Sequence, residues 1–158
     1  MKTKFLLLFL VVLFSCNDGD FDIPAFEFTE TVETCGEYVL YRTNSDKTEA
    51  IALSVASNFF KNEAGTDDSP VSSVNAITYR IFSEAIGANY FCQSIPPSEP
   101  DVTKELIATS ATINVTTTYN STNETYTHQI VITDLLFLDG EERIYFETFD
   151  FGTITISE

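Results

Sequence analysis

The sequence predicts an all-β protein in which about eight strands form an antiparallel β-sandwich. Apolar and polar residues alternate at a period of two in several segments, and clusters of turn-forming residues separate those segments. Residues 49–61 carry β-branched and paired aromatic residues, which favour strand and loop over helix. The longest alternation predicts a strand whose core face carries Ile107, Thr109, Ala111, Ile113, Val115, Thr117 and Tyr119.

The amino-terminal half of the chain contains several shorter segments with strand signals. Apolar residues at positions 26, 28 and 32 predict a half-buried strand over residues 26–32. Residues 36–41 and 51–55 predict a hairpin, because the polar turn residues 43–47 lie between them. A further strand is predicted where Ile77, Tyr79 and Ile81 line one face.

Two segments between these strands and the carboxy-terminal half carry loop or strand-ending signals. Residues 57–73 are rich in Gly, Asp, Ser and Pro, and they predict the longest loop. Residues 90–92 predict the start of a short strand. Pro96, Pro97 and Pro100 end that strand, because proline cannot donate a hydrogen bond to a β-ladder.

The carboxy-terminal half predicts long strands joined by tight turns. Residues 120–123 turn the chain into a strand over residues 126–138, and Asp139-Gly140 is the strongest hairpin signal in the sequence. The last segment changes the parity of its apolar residues twice, which predicts bulges or a break. Those residues are Ile144 and Phe146, then Phe149 and Phe151, then Ile154 and Ile156.

These strands predict an immunoglobulin-like architecture in the broad sense of two packed antiparallel sheets. A closed β-barrel is the alternative that the same strands permit.

The amino terminus has the charge and length of a signal peptide. Lys2 and Lys4 precede ten residues, Phe5 to Phe14, that carry no polar side chain, which is too short a run to span a bilayer. The segment Leu13-Phe14-Ser15-Cys16 resembles the lipobox of bacterial lipoproteins. The resemblance implies that the chain is cut before Cys16 and that fatty acyl chains on Cys16 anchor it to a membrane.

The residues after Cys16 form an acidic segment. Asn17-Asp18-Gly19-Asp20-Phe21-Asp22 resembles the leader of surface-exposed lipoproteins in Bacteroidota-type bacteria. The resemblance implies an outer-membrane location facing outward. We therefore expect a signal peptide over residues 1–15, an acidic tether over residues 16–24 and one β-sandwich domain over residues 25–158.

The chain is strongly acidic, with 24 acidic and 8 basic residues and a formal charge of −16. Residues 1–15 hold two of the basic residues and no acidic residue, so the charge without them is −18. This charge argues against nucleic acids and anionic membrane surfaces as partners, because both would repel the chain.

The three cysteines divide into a lipid site and a pair. With Cys16 assigned to lipid, Cys35 and Cys92 remain in an extracytoplasmic chain, where a disulfide persists. A Cys35–Cys92 disulfide would stabilise the fold by about 4 kcal/mol in the chain-entropy model. The alternative is two buried thiols that act as small apolar residues.

The sequence predicts no catalytic residue and no cofactor. His128 is the only histidine and lies on an apolar strand face, which favours a packed residue, and zinc lacks enough ligands. Calcium is the one candidate cofactor, with Asp67 and Asp68 as the weak ligand pair in the predicted loop. Asp18, Asp20 and Asp22 are a second acidic candidate. In both places a solvated acidic surface is the simpler interpretation.

Together these features favour a noncatalytic surface lipoprotein whose β domain binds a glycan or a protein of unknown identity. Tyr119, Tyr126 and Tyr145 are candidates for stacking against a sugar near strand ends. An accessory or structural subunit of an envelope assembly is the alternative function, and a hydrolase using carboxylates is a further one.

The lipobox makes a direct prediction. Cys16→Ala should abolish incorporation of labelled palmitate, because the sulfur that carries the acyl chain is lost, while the domain stays folded. Metabolic labelling followed by immunoprecipitation measures this. Persistent labelling of the variant would refute the lipidation site.

Overall fold

A computed structural model describes residues 26–29, 31–36, 38–93, 95 and 97–157 of the chain. Eight strands form its regular structure, and no α-helix occurs among these residues, which confirms the all-β class. The elements are β1 (Glu33–Cys35), β2 (Val39–Thr43), β3 (Glu49–Ser54), β4 (Gly65–Pro70), β5 (Ala76–Phe82), a 3₁₀ helix (Tyr90–Cys92), β6 (Val102–Asn120), β7 (Thr125–Asp139) and β8 (Glu142–Ser157).

The strands form one antiparallel path in the order β1-β2-β3-β5-β6-β7-β8. Strand β4 leaves this path and pairs with residues 112–117 of β6, whereas β5 pairs with residues 102–107 of the same strand. Strand β6 therefore belongs to two layers. One layer contains β1, β2, β3 and β5, and the other contains β4, β7 and β8.

The two layers make a sandwich that stays open at one side. Strands β1 and β8 end the path and do not pair with each other in the described residues, so the closed-barrel alternative does not apply. Most neighbouring strands are consecutive in sequence. The likeness to immunoglobulin domains therefore lies in the layered architecture and not in Greek-key connections.

A shared bend crosses β6, β7 and β8. Strand β6 has register shifts between Ala108 and Thr112, and β7 changes its buried parity after Ile132, at Asp134, whose φ is 54°. Strand β8 changes parity between Phe146 and Phe149, at the level that pairs with this part of β7. Each strand thus keeps its apolar side chains toward the core on both sides of the bend.

The bend corrects part of the predicted core face of β6. Ile107 and Thr109 are exposed, and Leu106 is buried instead, because the bulges invert the alternation. Beyond the bend the prediction holds, since Ala111, Ile113, Val115 and Thr117 are buried, while Tyr119 is 43% exposed.

The bulge predicted in the last strand is present at Phe151. Ile130 pairs with Gly152 and Val131 pairs with Asp150, so Phe151 is an extra residue in the ladder. Its side chain is fully buried, and Gly152 takes a φ of 117° that favours glycine. After this bulge the alternation shifts by one residue, so Ile154 and Ile156 lie on the more buried face of the strand.

The core between the layers is aliphatic and aromatic. Each large apolar side chain buried there contributes about 1.5–3 kcal/mol relative to an exposed one. The fully buried members are Leu40, Ile51, Leu53, Ile77, Tyr79, Ile113, Ile130, Ile132, Leu135, Phe137 and Phe151.

The strand predicted over residues 26–32 is wrong. The described residues 26–29, 31 and 32 are not in a strand, and Phe26 has a φ of 49°. The ring of Phe26 instead packs 4.4 Å from that of Tyr79 and 4.8 Å from that of Phe146, between centroids. Burial of this aromatic side chain overrides the local alternation.

Arg42 connects this segment to the far edge of the molecule. Its guanidinium donates to the carbonyl oxygens of Thr29 (2.6 Å) and Phe28 (3.3 Å). It also donates to the carbonyl oxygens of Asp150 (2.8 Å) and Phe151 (3.2 Å) of β8. One side chain of β2 thereby joins the entering chain to the bulged edge strand.

Two predicted loop or strand assignments also change. Residues 65–70, inside the predicted loop 57–73, form β4, because pairing with β6 imposes the strand on a polar sequence. Residues 90–92 form a 3₁₀ helix in place of a strand. Its Tyr90 packs with Phe82 in a small second cluster on the outer side of β3 and β5.

The predicted Cys35–Cys92 disulfide is present, with Cα atoms 4.9 Å apart. It joins the end of β1 to the 3₁₀ helix. Phe91 beside it contacts the ring of Tyr41 at 4.7 Å, and Tyr41 donates to Glu33 Oε2 and to the Ala88 carbonyl oxygen. Burial, together with Glu33, raises the pKa of Tyr41 to about 12. The outer segment is therefore held both covalently and by packing.

Arg42→Met should lower the free energy of unfolding by about 2 kcal/mol, because hydrogen bonds to charged groups contribute about 1.5–3 kcal/mol. Urea denaturation in the Cys16→Ala background measures the loss. Arg143→Met is the matched control: it removes the same charge from an exposed position and should change stability by less than about 0.5 kcal/mol. Equal losses in the two variants would contradict the role given to Arg42.

Candidate functional site

A cleft of about 380 Å³ lies at the end of the sandwich where β3 ends and β8 ends. The loop between β3 and β4 forms most of it, with Ile156 and Ser157 of β8 on one side. We call it the end cleft. Its volume lies within the range of small-molecule sites. The side chains that define its chemistry are Tyr38, Ser57, Asn58, Phe59, Phe60 and Asn62.

Backbone hydrogen bonds fix the walls of the end cleft. The Val55 amide donates to the Tyr38 carbonyl oxygen at 2.8 Å, which holds the start of β2 against the end of β3. The Ala56 amide donates to Oδ1 of the buried Asn75 at 3.0 Å, and the Phe59 amide donates to the Ala56 carbonyl oxygen at 3.1 Å. The loop is thus shaped by the protein before any ligand arrives.

His128 lies beneath the cleft. Its ring centroid is 5.0 Å from that of Phe60, and its Nδ1 is 2.9 Å from Thr117 Oγ1. The histidine is fully buried and is a packed residue, as predicted, and it is not among the residues that line the cleft. Burial lowers its pKa below the ordinary value of 6.5, so the imidazole is neutral at neutral pH. Within the described part of the chain, its Nε2 has no hydrogen-bond partner.

A row of neighbouring side chains extends from the cleft across the ends of three strands and consists of Ile156, Tyr126 and Tyr119. Tyr119 of β6 pairs with Tyr126 of β7, and Tyr126 pairs with Ile156 of β8, which lines the cleft. The two tyrosine rings are 4.7 Å apart between centroids. The structure therefore brings together two of the three predicted tyrosines.

The third predicted tyrosine lies elsewhere. Tyr145 pairs with Leu136 near the start of β8, is 54% exposed, and donates to Asp134 Oδ1 at 2.6 Å. It takes no part in the row beside the cleft.

The described residues that line the end cleft carry no charge, although the chain as a whole has a net charge of −16. No Asp, Glu, Lys, Arg or His occurs among the described residues that line it. Charged residues make up 20% of the sequence. Amide, hydroxyl and aromatic groups line it instead, and these bind by hydrogen bonds and by stacking.

Asp67 and Asp68, the weak calcium candidates, are in β4 and not in a loop. Adjacent residues of a strand point to opposite faces, so their carboxylates do not converge. Lys61 Nζ is 2.5 Å from Asp67 Oδ1. The described residues contain no cluster of three or more His, Cys, Asp or Glu suited to a metal ion. The expectation of no cofactor, with this pair as the weak calcium candidate, stays a prediction.

The predicted sites near the amino terminus lie outside the described residues. These are the signal peptide over residues 1–15, the lipidation site Cys16, and the tether with Asp18, Asp20 and Asp22. In the part of the chain that is described, no helix has the length and apolar character needed to cross a membrane.

The residues of the end cleft were not singled out by sequence periodicity. Asn58 and Asn62 lie in a segment without regular alternation, and Tyr38 is far from them in sequence. The available signal was the run Ser57-Asn58-Phe59-Phe60, which combines amide and aromatic side chains with no charge.

Burial of His128 predicts a specific pH dependence. Below pH 6.5 this histidine is protonated in the unfolded chain. In the folded chain it stays neutral until the pH falls to its lowered pKa. Stability should therefore fall with decreasing pH in this window, by at most about 1.4 kcal/mol per unit. His128→Gln, which keeps an acceptor for Thr117, should fall less steeply. Urea denaturation between pH 7.5 and 5.5 measures both slopes, and parallel slopes would argue against a neutral buried His128.

No protein-family model matches this chain, and comparison with curated proteins and with solved structures also finds no match.

Proposed function

We propose that this protein is a lipid-anchored, surface-exposed lipoprotein of the bacterial outer membrane whose β-sandwich binds a ligand in the end cleft and catalyses no reaction. The observation that carries the proposal is a cleft at the end of the sandwich whose described lining residues carry no charge. The lipobox resemblance of residues around Cys16 supplies the anchor.

The position of Phe26 supports an outward orientation of the cleft. Phe26 is the first described residue, and its ring lies 5.9 Å from that of Phe137. Tyr126 lies near the cleft end of the same strand, eleven residues from Phe137 along β7. A chain anchored at Cys16 would thus attach to the domain near the end of β7 opposite the cleft, which supports a cleft that faces away from the bilayer.

The side chains of the cleft support binding as its chemistry. Asn58 and Asn62 offer amide donors and acceptors, and Ser57 offers a hydroxyl. These groups are neutral at physiological pH and do not exchange protons there, so they suit recognition of a ligand better than acid–base catalysis. A pre-shaped cleft with a few polar groups on an aromatic surface is typical of binding sites.

Protease treatment of intact cells tests the proposal. The lipidated chain should be removed from unbroken cells, because its domain extends outward from the membrane. A periplasmic marker must stay intact, and the Cys16→Ala form, which has no anchor, is the control for leakage. Digestion only after lysis would contradict surface exposure and would favour a subunit of an envelope assembly.

A further inference from the structure

We infer that the end cleft binds a neutral carbohydrate, with one sugar ring of a glycan against its aromatic side chains. The inference rests on the proposed function, since it names the ligand class of the same site.

The charge of the cleft selects a neutral ligand. The chain as a whole carries a formal charge of −16, which repels anionic ligands such as acidic polysaccharides, nucleotides and lipid phosphates. Cationic ligands would be attracted to the protein as a whole, but the described residues that line the cleft include no carboxylate to bind them. The site therefore favours a ligand that carries no charge.

The polar groups of the cleft match hydroxyl groups. Each amide of Asn58 and Asn62 offers two N–H donors and a carbonyl acceptor, and Ser57 and Ser157 each offer a hydroxyl that does both. A sugar hydroxyl also donates and accepts. Neighbouring hydroxyls on a ring can therefore bond to these groups in pairs, whereas an apolar ligand offers them no hydrogen bond.

The aromatic side chains match the other face of a sugar ring. Tyr38 is 43% exposed at the cleft wall, and Phe59 packs edge to face against Phe60 at 5.2 Å. The C–H face of a pyranose packs on such rings, while its edge carries the hydroxyls. The Tyr119 and Tyr126 rings extend this surface beyond the cleft, so a second sugar unit can contact them.

The cleft is rigid enough to bind a small polar ligand. Hydrogen bonds from Val55 and Ala56 fix its two walls, and Phe60 packs on the buried His128 ring. Because the groups are already ordered, binding loses less conformational entropy.

Binding of the lipidated full chain in detergent micelles to immobilised polysaccharides tests the inference. The neutral probes are mannan, xylan, galactan and β-glucan, and the acidic probes are polygalacturonate and heparin. We expect retention on at least one neutral polysaccharide and on neither acidic one. A proline-rich peptide is included, because it would also stack on tyrosine.

Three variants locate the binding. Tyr38→Ala removes the stacking wall, and Asn58→Asp, nearly the same in shape, replaces amide donors with a charge; each should weaken binding at least tenfold. Tyr145→Ala is the matched control, since it removes an exposed tyrosine far from the cleft, and binding should stay within twofold. If Tyr38→Ala lowers the unfolding midpoint of the protein, its binding result is set aside, and Asn58→Asp alone tests where the ligand binds.

Retention on no neutral polysaccharide, equal binding by Asn58→Asp, or binding of only an acidic polysaccharide or the peptide would overturn the inference. The proposed function is judged separately by protease accessibility. A chain digested on intact cells that binds none of the neutral probes refutes the ligand class but leaves the surface protein. A protected chain that binds a neutral polysaccharide through Asn58 supports the ligand class and refutes surface exposure.

Discussion

The fold depends on a bend that three long strands must make together. Strands β6, β7 and β8 run for 19, 15 and 16 residues, longer than one flat layer of a small sandwich can use. At the bulges near Ser110 and at Asp134 they change direction and parity at one level. If only one strand bent, its neighbour would turn apolar side chains to solvent. The common bend lets β5 and β4 share one edge of β6, which creates the two layers and the end cleft.

Arg42 and Phe26 cover part of the core that the bent sheet leaves exposed. A curled sheet with free ends exposes the core at the gap between its edges, and the entering chain covers part of that gap. Phe26 fills it with an aromatic ring, and the guanidinium of Arg42 binds carbonyl oxygens on both sides. Arginine suits this position because its planar group presents five donors in a fixed arrangement.

Sequence periodicity predicted the class and most strands, because a half-buried strand requires alternation. It misassigned Ile107, because the bulges depend on which strand pairs with each half of β6. It also missed β4, whose polar residues form a strand only because they pair with an edge of β6. The end cleft was beyond such analysis, since Asn58 lies in an aperiodic loop that takes its shape from Tyr38 and Asn75, each about twenty residues away.

Strand β8 forms a long edge of the sheet that pairs with no further strand among the described residues. An unpaired strand is a template for joining a second copy of the chain. Here the strand carries Glu142, Glu147 and Asp150, so two antiparallel copies would bring like charges together. The bulge at Phe151 adds twist, and Arg42 already occupies the carbonyl oxygens of Asp150 and Phe151. The arginine that joins the entering chain to β8 therefore also occupies part of the edge with which a second copy would pair.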